Sequence, residues 1–176
     1  MSVAAEQKTK TLKNYVGGSW VEVTGAELHD VINPATGAAI ARVPFSTAAN
    51  LDDAVQAAKA ALPAWRGVST IARARKLFEL REKLEARKDE IARCVVTEMG
   101  KTFPDARAEV GRMIEMVEAA TAIPTTMQGR ILEDVARGVD AETIRQPVGV
   151  CAAIAPFNFP AMVPLWMFPV AIACGN

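Results

Sequence analysis

The chain has 176 residues, 51% of them hydrophobic and 23% charged, with 20 basic against 20 acidic side chains. A zero net charge, with the two signs interleaved, leaves no electrostatic footprint for nucleic acid and fits a soluble globular protein. Three cysteines, Cys94, Cys151 and Cys174, with no CxxC pair, read as buried reduced thiols and point to the cytoplasm, and no metal site is expected.

Residues 1–13 carry lysines but no apolar stretch before a small-residue cleavage site, so they read as a loose leader and not a secretory signal. Residues 14–23 place Tyr15, Val16, Trp20, Val21 and Val23 around Gly17-Gly18, the pattern of a short hairpin. Val31 to Gly37 then reads as an extended piece entering a turn, and Ile40 to Val43 as a further strand. Asn50 is the expected cap of a helix with Asp52 and Asp53 in its first turn and Leu51, Val55, Ala58 and Leu62 on one face. That helix is expected to end near Pro63-Ala64-Trp65.

From Ser69 to Met99 the spacing is helical, with Ile71, Ala74, Leu77, Phe78, Leu84, Ile91 and Val95 on the buried side. Asp89 begins a second helix, and Gly100 closes it. A third helix follows Pro104 through Val110, Met113, Ile114 and Val117 to about Ala122, where Pro124 stops it. Residues 128–146 read as two short polar strands around a Gly138 turn, a ribbon that is marginal alone and open to pairing with another chain.

Pro147 to Asn176 is a run of thirty residues without a charge. About 20 apolar residues suffice to cross a bilayer, but Pro156, Pro160, Pro164 and Pro169 interrupt this run, and lipid cannot satisfy the main-chain groups they free. The better reading is a buried strand at Gly149 to Ile154, a turn, and an apolar helix from Met162. Asn158 then falls at the carboxyl end of the strand, where open α/β sheets bind ligands. Ala173-Cys174-Gly175-Asn176 reads as a helix C-terminus, after which a parallel sheet needs its next strand, so a piece of a larger domain is expected.

Four strings occur in order along the chain: Val31-Ile32-Asn33-Pro34-Ala35-Thr36-Gly37, Glu98-Met99-Gly100-Lys101, Pro147-Val148-Gly149-Val150 and Pro156-Phe157-Asn158-Phe159-Pro160. Together they resemble the amino-terminal third of the NAD-dependent aldehyde dehydrogenases. The unbroken stretch from Pro156 to Pro169 is similar to the methylmalonate-semialdehyde dehydrogenase branch, which releases a coenzyme A thioester. The resemblance implies an α/β fold: helices and the first strand of a Rossmann-like NAD-binding domain, with a β-ribbon for oligomerisation. It implies boundaries at 14–126 and 147–176 for parts of the NAD-binding domain and 127–146 for the ribbon, and a homotetramer for the full-length protein.

In that family a cysteine thiolate attacks the aldehyde, hydride passes to NAD, and coenzyme A, or water in most relatives, removes the acyl group. The resemblance implies that Asn158 donates its amide to the developing oxyanion, where one fixed donor is typically worth roughly 3 kcal/mol. It implies that Ile154, Ala155 and Phe157 meet NAD, and that Trp166 and Phe159 line the aldehyde site. Packing in the core is the plain alternative for Trp166. Arg112 matches the position that binds the substrate's carboxylate, a task suited to a guanidinium fork; an exposed ion pair with Glu109 or Glu115 is its plain alternative.

The family's nucleophilic cysteine, general-base glutamate and cofactor-holding lysine match no residue here, and none of the three cysteines sits beside an evident base or cation. The chain alone is therefore expected to be inactive. Two rival readings stand beside the acylating one: a water-using enzyme such as a succinate-semialdehyde dehydrogenase, and a non-catalytic module that joins an oligomer.

Overall fold

The computed structural model describes residues 9–176. Much of the segment read as a leader falls on residues 1–8, outside the described residues. Lys10–Thr11, however, forms strand β1 and pairs in parallel with Ala41 and Arg42, so this part is a sheet edge and not a loose leader.

Strands β2 (Asn14–Val16) and β3 (Ser19–Val21) make the expected hairpin, with Tyr15 opposite Trp20 and their ring centroids 5.0 Å apart. Strands β4 (Leu28–Ile32) and β5 (Ala39–Pro44) are antiparallel and complete a three-stranded sheet of order β1-β5-β4. At the turn between them Asn33 folds the chain on itself. Its Oδ1 accepts from the Ala35 N–H at 2.9 Å and its main-chain oxygen from the Gly37 N–H at 2.8 Å.

Thr47, not Asn50, caps helix α1 (Ala48–Gly67). Its Oγ1 accepts from the Asn50 N–H at 3.3 Å while Asn50 Oδ1 accepts from the Thr47 N–H at 3.0 Å, a reciprocal box of two cap-forming residues. Nor does α1 end near Pro63. The proline cannot donate to the Lys59 carbonyl, but α1 buries no residue and the helix runs on through Pro63 to Gly67.

Helices α2 (Thr70–Ala86), α3 (Lys88–Met99) and α4 (Phe103–Ala120) follow the expected periodicity, and Ala74, Leu77 and Val95 are buried. Ile71 and Phe78 are not on the buried side: they are 60% and 54% exposed, because neither faces α4 or the helix after it. Pro124 does not simply stop the chain. It sits in the first turn of a short helix, α5 (Ile123–Thr126).

The centre of the molecule is α4, which packs against α2, α3 and the apolar helix α6 (Met162–Cys174). Ala106, Val110, Val117 and Ala120 are fully buried along its inner stripe. The far end of α6 is gripped from two helices. Trp65 Nε1 donates to the Ile172 carbonyl at 3.0 Å, and Arg73, itself 6% exposed, donates through Nε to the Ala173 carbonyl at 2.9 Å. Gly175 and Asn176 close the helix by returning their N–H groups to the Ile172 and Ala171 carbonyls.

The buried strand expected at residues 149–154 is absent. Residues 150–158 are all exposed, Ile154 by 93%. A strand buried on both faces needs a neighbour on each edge, and among the described residues none pairs with this segment. What fixes it is its start: Asn176 Oδ1 accepts from the Val148 and Gly149 N–H groups at 2.7 and 3.0 Å. The cysteines also differ from expectation. All three are free, but Cys94 and Cys151 are exposed, the first on the outer face of α3 and the second on the unpaired segment.

Strands β6 (Arg130–Ala136) and β7 (Val139–Thr143) form the ribbon, longer than expected and exposed at every position. It is less polar than read, since Ile131, Leu132, Val135 and Val139 are all more than half exposed. Among the described residues no helix is long and apolar enough to cross a membrane.

Candidate functional site

Three of the four strings singled out in the sequence meet around one turn. Gly100 ends α3 in a left-handed conformation, φ 81°, and a Cβ there would come within 2.8 Å of Pro34 Cγ. Only glycine allows both the backbone angle and this approach. The chain reverses at Gly100, and Lys101 is carried to the junction of α4 with the turn at residues 156–160. Thr102 then caps α4, its Oγ1 accepting from the Asp105 N–H at 3.3 Å.

Lys101 has 15% of its side-chain surface exposed, and its Nζ is shared three ways. It donates to Glu109 Oε2 and, at 2.8 Å, to the main-chain oxygen of Asn158, and it lies 3.8 Å from the centre of the Phe159 ring. Glu109 is 2% exposed. Its other oxygen accepts from the Ala161 and Met162 N–H groups at 2.9 and 3.2 Å, filling the role of a cap at the start of α6, where Ala161 supplies none. A carboxylate is favoured there because the first N–H groups of a helix are unpaired and carry partial positive charge.

The Asn158 side-chain amide makes no hydrogen bond within the described residues, and Asn158 is exposed. The expectation that Asn158 stands at the end of a buried strand is therefore not met among the described residues. The physical reason is that among the described residues no strand pairs with residues 150–157, so solvent reaches that segment and the Asn158 side chain. The amide is uncommitted, while the main chain that carries it is fixed.

Ile154, Ala155 and Phe157, which the resemblance sets against NAD, are exposed, Phe157 by 86%. No main-chain hydrogen bond is made by residues 150–157 among the described residues, so open apolar surface and unpaired peptide groups lie side by side. Trp166 is 47% exposed on α6. Arg112 is exposed on α4 and forms none of the ion pairs of the described residues. Glu109 is turned inward to Lys101 and α6, and the exposed Glu115 makes no ion pair with Arg112 among the described residues. No hydrogen bond joins Arg112 or Trp166 to Asn158.

Lys101 and Glu109 are the site's residues that sequence reasoning missed. A signal existed for Glu109: it stands three residues after Ala106 and four before Met113, on the same stripe as the buried positions of α4. An acidic residue at such a position is either paired or a mistake in register.

Elsewhere, the ionisations that the fold shifts belong to exposed pairs. Hydrogen bonds from Arg87 and Lys13 hold the Glu90 and Glu22 carboxyls below their usual range. An apolar groove of about 860 Å³ opens between α1, α6 and residues 150–153, lined among others by Leu62, Trp65, Val68, Met167 and Ile172. None of the site residues named above lines it.

Residues 20–176 match the model of the aldehyde dehydrogenase family, and the chain belongs to that family. It has the amino-terminal part of the aldehyde dehydrogenase fold. Among its relatives it is 51% identical over 170 residues to malonate-semialdehyde dehydrogenase 2 of Bacillus mycoides (strain KBAB4), covering 97% of this chain and 35% of that one. It is 50% identical over 169 residues to malonate-semialdehyde dehydrogenase 1 of Geobacillus kaustophilus (strain HTA426), covering 96% and 35%. Of solved structures, methylmalonate-semialdehyde dehydrogenase from Oceanimonas doudoroffii superposes with a TM-score of 0.91 at 40% identity, over 96% of this chain and 34% of that one. A Sinorhizobium meliloti 1021 protein assigned as a methylmalonate-semialdehyde dehydrogenase, solved with NAD, gives 0.92 at 37% identity, over 97% and 35%. The chain thus spans about a third of the length of the relatives it matches.

Proposed function

We propose that this chain is the amino-terminal third of an NAD-dependent, coenzyme A-acylating dehydrogenase of malonate or methylmalonate semialdehyde, acting in the cytoplasm as a homotetramer. The observation that carries the reading is the uncommitted Asn158 amide on a turn whose main chain is fixed by Lys101. The semialdehyde comes from what the relatives at about half identity are named for.

In this reading Asn158 is the catalytic residue of the chain. A neutral donor held in place stabilises the negative charge gathering on the aldehyde oxygen without giving up a proton, worth roughly 3 kcal/mol in a dry site. NAD, when bound, takes up the hydride. Ile154, Ala155 and Phe157 offer it apolar surface, Phe159 and Trp166 bound the aldehyde, and Arg112 clamps the substrate's carboxylate. Residues 14–126 and 147–176 belong to the NAD-binding domain and residues 127–146 to the oligomer. The thiolate and the base come from outside these residues, so the chain by itself is inactive.

The overall change consumes aldehyde, NAD⁺ and coenzyme A and yields thioester, NADH and a proton. The test is the full-length enzyme supplied with malonate or methylmalonate semialdehyde, NAD and coenzyme A, with thioester measured directly. Thioester formed in step with NADH is the expected result. Free acid as the only product would assign the water-using chemistry instead, and no NADH from any semialdehyde would leave the non-catalytic module.

A further inference from the structure

Lys101 and Glu109 have no part in the chemistry proposed above, although both are nearly buried and joined to the Asn158 turn. Taking two charges out of water is costly, and a buried ion pair is often no more stabilising than apolar side chains of the same volume. The pair therefore calls for a reason beyond stability. Glu109 alone would serve as the cap of α6, through Oε1 and the Ala161 and Met162 N–H groups. What the lysine adds is different. Its bond to the Asn158 carbonyl at 2.8 Å supports no helix or strand, and together with the 3.8 Å approach to the Phe159 ring it fixes the peptide unit that follows the Asn158 Cα.

Fixing that peptide unit limits the direction in which the Asn158 side chain can leave the backbone. The side chain is exposed and its amide makes no hydrogen bond among the described residues. We infer that Lys101, held by Glu109, is the positioning residue that aims the Asn158 amide at the reacting oxygen. The inference rests on the dehydrogenase reading and extends it to two residues that do not touch substrate. Its physical basis is that an oxyanion donor helps only when already in place, and a displacement of about 1 Å can cost a factor on the order of 100 in rate.

The test is a double-mutant cycle in the full-length enzyme with Lys101→Met, Asn158→Ala and the pair, reading kcat, KM for the aldehyde, NAD affinity by fluorescence, and thermal unfolding. Lys101→Met is expected to lower kcat about 10- to 100-fold, with KM and NAD affinity within about threefold of the parent. On the Asn158→Ala background the same change is expected to cost less than about threefold, since there is no amide left to aim. Lys101→Arg, which keeps a charged donor, is expected to recover part of the loss. Equal losses on both backgrounds, or no loss on the parent, would overturn the assignment and leave Lys101 a structural residue. Should Lys101→Met not fold, Lys101→Gln takes its place in the cycle with the same expectations. An Asn158→Ala enzyme of full activity would instead strike the oxyanion role given to Asn158, and the lysine's role with it, while leaving the dehydrogenase reading itself in place.

Discussion

Glu109 and Arg112 are one helical turn apart and have opposite fates. Glu109 lies on the inner stripe of α4 and is taken up by Lys101 and the start of α6, while Arg112 points outward with no partner among the described residues. An unpaired guanidinium beside a substrate-binding fold is suited to a carboxylate, which it can grip through two parallel hydrogen bonds. In the full-length enzyme Arg112→Ala is expected to raise KM for a semialdehyde bearing a carboxylate about 10- to 100-fold, the worth of lost charge-assisted bonds. A plain aldehyde of equal size should change by no more than about twofold. Equal effects on both substrates would remove Arg112 from the site.

At the scale of elements, the ribbon of β6 and β7 is the part least able to stand alone. Two strands with no third partner are marginal in water, and here Ile131, Leu132, Val135 and Val139 are left open on them. Exposed apolar strands with free edges call for a covering partner. Light scattering on a full-length protein lacking residues 128–146 is expected to show a smaller assembly than the parent, and a surviving tetramer would contradict the ribbon's role. Elements were legible wherever a local rule sufficed. The Gly17-Gly18 hairpin, the stop at Gly100 and the close of α6 at Gly175 all follow from turn or cap chemistry. Where two local signals competed, the reading slipped: Thr47 and Asn50 are both cap formers three residues apart, and Pro63 ends a helix only if the freed carbonyl has nowhere to go.

For the whole molecule, the limits of the sequence reading fall at residues 149–158. Their apolar run between glycine and proline has the composition of a buried strand, but burial is a property of neighbours, and among the described residues no strand stands beside them. The same absence leaves Cys151 and Asn158 exposed. The strings that carried the resemblance are better explained by structure than by composition: Pro34 meets Gly100, Lys101 meets Asn158, and Val148 and Gly149 are pinned by Asn176. Pairwise contact of this kind is invisible to periodicity, which is why Lys101 could be noted as part of a motif without its task being seen. The central claim, that the Asn158 amide stabilises charge on the aldehyde oxygen, is tested most directly by kcat of Asn158→Ala in the full-length enzyme at saturating NAD and coenzyme A. The account predicts a fall of about 100- to 1,000-fold with NAD affinity unchanged, and a kcat within about threefold of the parent would contradict it.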